Sequence, residues 1–333
     1  MAKTCEQIWE EFKQNLGLVI NEIDEFEGKH EAASSFTLEG FWQQLDSVNK
    51  AVSHEATKLS LAYSHSPPPS PEECQSLLAS VEKTMLDLVH LYCSLPKSCG
   101  VTLCRTVKQS VKQLSEQMKT LAEMISGHYT GSPEQFQQTG LVWQESALFQ
   151  ALPHDNKAAV LSVLDAHVPM VDDAHNELTE ALNCDEDDDG LDEFLGLDLN
   201  TSNSQWNEAD KNVAQYCLGL IKCSKSLLKK ARSSIGANGD PSTEAGVVEL
   251  DHLAELIERL SPAVDELASG VYPPLRRDVV AARAQDVKKA NDDALIFLKK
   301  SHVTTEDDQK WIEFLKRANS HNMNKLECAL SVT

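Results

Sequence analysis

Apolar residues recur three and four positions apart along almost the whole chain, the period of a helix with one buried face. The spacing predicts a first helix from about Thr4 through Ile8, Phe12, Leu16, Val19, Ile23 and Phe26, opened by a capping box of Thr4 and Gln7. A second carries Phe41, Leu45, Val48, Val52, Leu59 and Tyr63. Ser70-Pro71-Glu72-Glu73 sets an N-cap, a first-turn proline and an N3 acid in order. The helix behind it continues through Leu77, Val81, Met85, Leu88 and Tyr92 and ends before Pro96. A fourth holds Val107, Val111, Leu114, Met118, Leu121 and Ile125, and Ser132-Pro133 starts a fifth. A sixth spans about 155–182, where Pro169 predicts a kink or a break.

The helical period is lost over 184–205, a stretch rich in Asp, Asn, Ser and Gly. Beyond it, a helix over about 206–235 turns at Gly236-Ala237-Asn238-Gly239-Asp240. The next begins near Glu244 and passes Leu250, Leu253, Leu256, Ile257 and Leu260 before Ser261-Pro262. Tyr272-Pro273-Pro274 breaks the chain again, and two last helices are expected over about 276–301 and 306–330. Short loops join antiparallel neighbours. The expected fold is therefore all-α: antiparallel multi-helix bundles over 1–183 and 206–333, joined by a flexible acidic linker at 184–205. No internal repeat of fixed period is found.

Composition agrees. The 333 residues include only 14 Gly and 12 Pro, where average usage of the two together is about 12%. Turn-rich β architectures need more. Charge then narrows the partners. The net charge is −22, and between Lys157 and Lys211 fifteen acids occur with no Lys or Arg. Such a field repels DNA phosphate and anionic lipid, so direct contact with nucleic acid or membrane is not expected. Nine cysteines contain no C-x-x-C pair, Met1 to Phe12 lacks a secretory signal, and no apolar run approaches 18 residues. A reduced, soluble, intracellular protein is expected.

Searches for chemistry return little. G-x-G-x-x-G, the P-loop and G-x-S-x-G are absent. His54-Glu55-Ala56-Thr57-Lys58 begins like a zinc-protease helix but has lysine where the second histidine belongs. Asp185-x-Asp187-x-Asp189-Gly190 matches half of an EF-hand loop, yet its twelfth position is Gly196 and Asp192 stands at the apolar anchor. No enzyme activity, cofactor or metal is expected.

The short motifs suggest recruitment instead. Leu182-Asn183-Cys184-Asp185-Glu186 spells L-x-C-x-E, followed by three more acids. It is similar to the linear motif that enters the retinoblastoma-family pocket, with Leu182, Cys184 and Glu186 as the reading residues. Phe194, Leu195 and Leu197 lie among acids, like a recruitment segment. They could equally tether the stretch to its own bundle. Ser66 and Ser70 precede prolines in Ser66-Pro67-Pro68-Pro69-Ser70-Pro71 and are candidate phosphorylation sites. Phosphate on Ser70 would meet a helix N-terminus, where the dipole favours it. Lys222, Lys225, Lys229, Lys230 and Arg232 form a basic cluster, expected to partner the acidic linker or to lie on a solvated face near a helix C-terminus.

Several strings together carry a resemblance: Ser53-His54-Glu55-Ala56-Thr57, Pro69-Ser70-Pro71-Glu72, Leu95-Pro96-Lys97, Asp155-Asn156-Lys157-Ala158-Ala159, Tyr272-Pro273-Pro274 and Ser301-His302-Val303-Thr304. In this order and spacing the chain resembles the cyclin-D-binding protein family, also called GCIP or MAID. The resemblance implies a non-enzymatic cell-cycle and transcription regulator that binds D-type cyclins and lowers retinoblastoma-protein phosphorylation. It also implies opposition to helix-loop-helix transcription factors without a DNA-binding basic region, and a nuclear and cytoplasmic location. A helix, a loop and a helix do occur over 206–260, though any bundle hairpin has that form. The other class the composition admits is a helical-bundle adaptor of the junction or cytoskeletal type.

Overall fold

Thr4 caps the first helix as its sequence requires. Its hydroxyl accepts from the Gln7 amide at 3.3 Å, while Gln7 Oε1 accepts from the Thr4 amide at 3.1 Å. This helix, α1, is Cys5–Glu25, followed by α2 Leu38–Ala62, α3 Pro71–Tyr92, α4 Val101–Ser126 and α5 Pro133–Leu148. Then come α6 Asn156–Cys184, α7 Glu208–Asn238, α8 Glu244–Glu258, α9 Leu260–Gly270, α10 Arg277–Leu298 and α11 Asp308–Ser331. The computed structural model describes residues 3–28, 35–127, 131–184 and 206–331, and among these there are helices and turns but no strand. The all-α expectation holds.

The described residues form two compact units, 1–159 and 160–333. In the first, α1 packs on α3 and α4, α3 on α2, α2 on α5 and α5 back on α4, which closes a ring of five helices. Phe12, Leu16, Phe41, Leu59, Met85, Leu114 and Met118 fill it. The helical spacing found these residues, with small shifts: α3 buries Leu78 and leaves Leu77 half-buried. Gly100 precedes α4 with φ 117, and a Cβ there would stand 2.0 Å from the Asn156 side chain. Only glycine fits, and Asn156 Oδ1 uses the space to accept from the Leu103 amide at 3.1 Å.

In the second unit α7 lies along α11 and α10, α10 packs on α11 and α9, and α8 rests on α10 and α9. Its core holds a polar knot, because Asn291 Nδ2 donates to Asn319 Oδ1 at 3.1 Å and Ser224 Oγ donates to Asn291 Oδ1 at 2.9 Å. Trp206, at the start of this stretch, donates its indole N–H to the Val271 carbonyl at 3.0 Å.

Three expectations change. Of the kink or break expected at Pro169, the break is absent, and α6 runs through it. The carbonyl left without its helical donor is that of Asp165, an exposed residue, so its loss is open to solvent. α9 starts at Leu260, with Pro262 inside its first turn, where the amides have no helical partner to lose. The boundary between units also moves. The spacing assigns all of α6 to the N-terminal bundle, whereas Val160, Leu164, Val171, Leu178 and Leu182 belong to the second core. Of the expected linker at 184–205, residues 185–205 lie outside the described residues.

Candidate functional site

α5 faces its bundle with the wrong polarity. Gln135, Gln138, Thr139 and Ser146 are buried, and only Val142 adds an apolar side chain to that face. Each polar group is matched. Gln135 Nε2 donates to the Ser60 carbonyl at 2.8 Å and to its hydroxyl at 3.0 Å, while Gln135 Oε1 accepts from the Gly131 amide at 2.8 Å. Thr139 Oγ1 donates to Ser60 Oγ at 2.9 Å, and Gln138 Nε2 donates to Gln117 Oε1 at 2.9 Å and to the Gln117 carbonyl at 3.0 Å. Asn49 Nδ2 donates to the Ser146 carbonyl at 2.8 Å.

The apolar residues of α5 point the other way: Phe136 is 47% exposed, Trp143 49% and Leu148 52%, with Leu141 beside them. Covering the half that remains exposed would stabilise each by roughly half of the 1.5–3 kcal/mol of full burial. The hydrogen bonds to α2 and α4 prevent that, because rotating the helix would strand every polar group just named. Trp143 still anchors its edge, donating its indole N–H to Thr57 Oγ1 at 3.0 Å. The charged groups of α5 are Glu134 and Glu145 alone. Of this polar back and its partners only Asn49 Oδ1 is buried without a hydrogen bond, and an apolar stripe held outward in this way fits a surface for another protein. Sequence spacing passed over it because a helix is normally read with its apolar residues inward.

The residues singled out from sequence stand elsewhere. Leu182 is 9% exposed, in the last turn of α6, and is part of the second core. Reading it as an extended L-x-C-x-E peptide requires drawing it from that core, at a cost of about 2 kcal/mol. Cys184 ends α6. Glu186, Phe194, Leu195 and Leu197, with the acids of the half EF-hand, lie outside the described residues. Ser66 is exposed. Ser70 is the N-cap of α3, its hydroxyl accepting from the Glu73 amide at 3.3 Å while Glu73 Oε2 accepts from the Ser70 amide at 2.8 Å.

The basic cluster of α7, expected to meet the acidic linker or solvent, has partners on α6 instead. Asp172 receives Lys225 at 3.1 Å and Lys229 at 2.9 Å, and Asp165 pairs with Arg232. Burial works to raise the Asp172 carboxyl, and hydrogen bonds from Lys229 and Lys225 overcome it and hold the group below its usual range. The apolar stripes of α7 and α8 are buried inside the second unit, so neither is free to form the four-helix pairing of a helix-loop-helix dimer. Among the described residues no cluster of three or more His, Cys, Asp or Glu could hold a metal ion, and no helix is long and apolar enough to cross a membrane.

Comparison with known proteins gives this arrangement a family. The model for Grap2 and cyclin-D-interacting proteins, N-terminal part, matches residues 44–184, and that for the C-terminal part matches residues 184–295. The chain belongs to this family. The cyclin-D1-binding protein 1 homolog of Danio rerio is 36% identical over 307 residues, covering 90% of this chain and 89% of its own. The Xenopus laevis homolog is 36% identical over 317 residues, with 94% and 95% covered. Cyclin-D1-binding protein 1 of Homo sapiens is 32% identical over 314 residues, with 89% and 86% covered. The family is described by what its members bind, and not by a reaction. Its two models meet at residue 184, whereas this member's packing divides at 159, so α6 goes with the first half by sequence and with the second by contact.

Proposed function

We propose that this protein binds a D-type cyclin and, by holding it, lowers retinoblastoma-protein phosphorylation and the cell-cycle transcription which that phosphorylation releases. The observation that carries the reading is the family match across both halves of the chain, together with relatives named for binding cyclin D1 that align over most of their length. Capture acts by mass action: cyclin bound here is withdrawn from its other complexes in proportion to concentration over Kd. No chemistry is required of this chain. Opposition to helix-loop-helix factors has less behind it, because α7 and α8 bury their apolar stripes in their own core. The L-x-C-x-E residues, the apolar group at Phe194, Leu195 and Leu197, and phosphorylation of Ser66 and Ser70 are further parts of the proposal, as is residence in both cytoplasm and nucleus.

Calorimetric titration of the full chain with a purified D-type cyclin tests it. Saturable one-to-one binding at micromolar concentration or tighter is expected. Absence of heat and of co-elution at tens of micromolar would overturn the cyclin reading and leave an adaptor of other proteins. Repeating the titration with Cys184→Gly and with residues 185–205 removed measures what the acidic stretch adds.

A further inference from the structure

The outward face of α5 has a shape and a charge that describe what it meets. Residues advance about 100° each around a helix, so Phe136, Gly140, Trp143 and Ala147, spaced four, three and four, form one stripe. Leu141 and Leu148 form a second, across Gln137 and Gln144. The first stripe dips at Gly140, between Phe136 and Trp143, and a dip flanked by large side chains is where a ridge of another helix can seat. A Cβ built there meets nothing within 4 Å, so no neighbour among the described residues needs the room, although glycine inside a helix costs about 1 kcal/mol against alanine. The notch between the two aromatic rings suits a side chain brought from outside.

Charge selects among occupants. Glu134 and Glu145 are three turns apart and share the edge beside Leu141, and α5 has no basic residue to answer them. A second copy of this chain would set these acids against their equals, on molecules of net charge −22. The chain's own acidic stretch at 185–205 is repelled on the same ground. We propose that the outer face of α5 receives an amphipathic helix of a partner protein, with apolar side chains seated around Gly140 and Lys or Arg along the edge that meets Glu134 and Glu145. Such a helix uses anchors at i, i+3 or i+4, and i+7. The inference goes beyond the cyclin reading, since it names a surface and a partner chemistry that hold whichever protein supplies the helix.

The test uses the full chain and a fluorescent peptide of about five helical turns, with Leu and Ala along one face and Lys along one edge. Its counterpart carries Glu in place of each Lys. Anisotropy should show saturable binding of the Lys peptide in the micromolar range and none of the Glu peptide. Gly140→Leu fills the notch and raises helix propensity, so it should weaken the Lys peptide at least about tenfold with Tm unchanged or higher. Glu134→Lys with Glu145→Lys should weaken the Lys peptide and admit the Glu peptide. Equal binding by wild type and Gly140→Leu, equal binding of both peptides, or no binding overturns the proposal. A dimer that Gly140→Leu dissolves gives the face to a second copy, and peptide binding seen only after removal of 185–205 gives it to that segment. Either result also overturns the partner helix.

Discussion

Gln135 on α5 grips Ser60 on α2 twice, through the carbonyl at 2.8 Å and the hydroxyl at 3.0 Å, with its own side chain fully buried. Replacing it with leucine makes the helix more apolar yet strands the Ser60 carbonyl and the Gly131 amide, and leaves the Ser60 hydroxyl only its bond from Thr139. Gln135→Leu is expected to destabilise the chain by about 1–3 kcal/mol in urea unfolding. A gain in stability would mean that α5 is not held by its polar face.

Asp172, between Lys225 and Lys229, has a folded-state pKa below its unfolded one. Its contribution is therefore present above the unfolded carboxyl value, about 3.9, and is lost as pH falls through the lower folded value. Asp172→Asn should lower stability at neutral pH and flatten the loss seen on acidification below about pH 4. The comparison to make is Tm against pH for the two proteins. Parallel curves would show that the pair with α7 adds nothing.

Ser70 is already in use as a cap, which reverses the expected effect of phosphate there. The Ser70 amide and hydroxyl hydrogen-bond the Glu73 carboxyl and hold it below its usual range. A phosphoryl group would lose the hydroxyl cap and crowd that carboxylate, against a dipole gain of about 0.3–1 kcal/mol. Ser70→Ala should cost about 1 kcal/mol. The phosphorylated chain should melt lower than the unmodified one, and Glu73→Gln should restore part of the difference.

The thiols of Cys217 and Cys328 differ sharply in exposure, the first buried and the second exposed. Burial pushes the Cys217 thiol up to about 12, so it carries almost no thiolate at neutral pH. Native chain treated with a thiol-reactive disulfide should label exposed Cys328 first and leave Cys217 untouched until unfolding. Peptide mapping after brief labelling gives the order.

Much of the architecture was legible because core helices obey one rule. Phe12, Leu16, Val107, Val111 and Leu114 repeat at helical intervals, and all are buried. Caps were legible for the same local reason: Thr4 and Ser70 act on residues three positions away. What escaped depends on distant partners. The inversion of α5 rests on Ser60, Asn49 and Gln117, which sequence spacing cannot bring to Gln135, Ser146 and Gln138. Pro169 reads as a kink or a break, and its exposed setting is not legible in the spacing. The assignment of Val160 to Leu182 needs α7, across the acidic stretch. The stripes of α7 and α8 are real, yet only packing tells that they face their own core.

α6 starts beside Leu103 in the first unit and supplies Val160, Leu164, Val171 and Leu178 to the second. The place where the chain looks easiest to cut, its acidic stretch, is therefore not where its folding divides. A fragment ending at residue 183 would carry a long apolar stripe to solvent, and a fragment starting at 206 would leave a matching trench. Each would be sticky for reasons unrelated to any natural partner, so capture by isolated halves reports the wound and not the binding site.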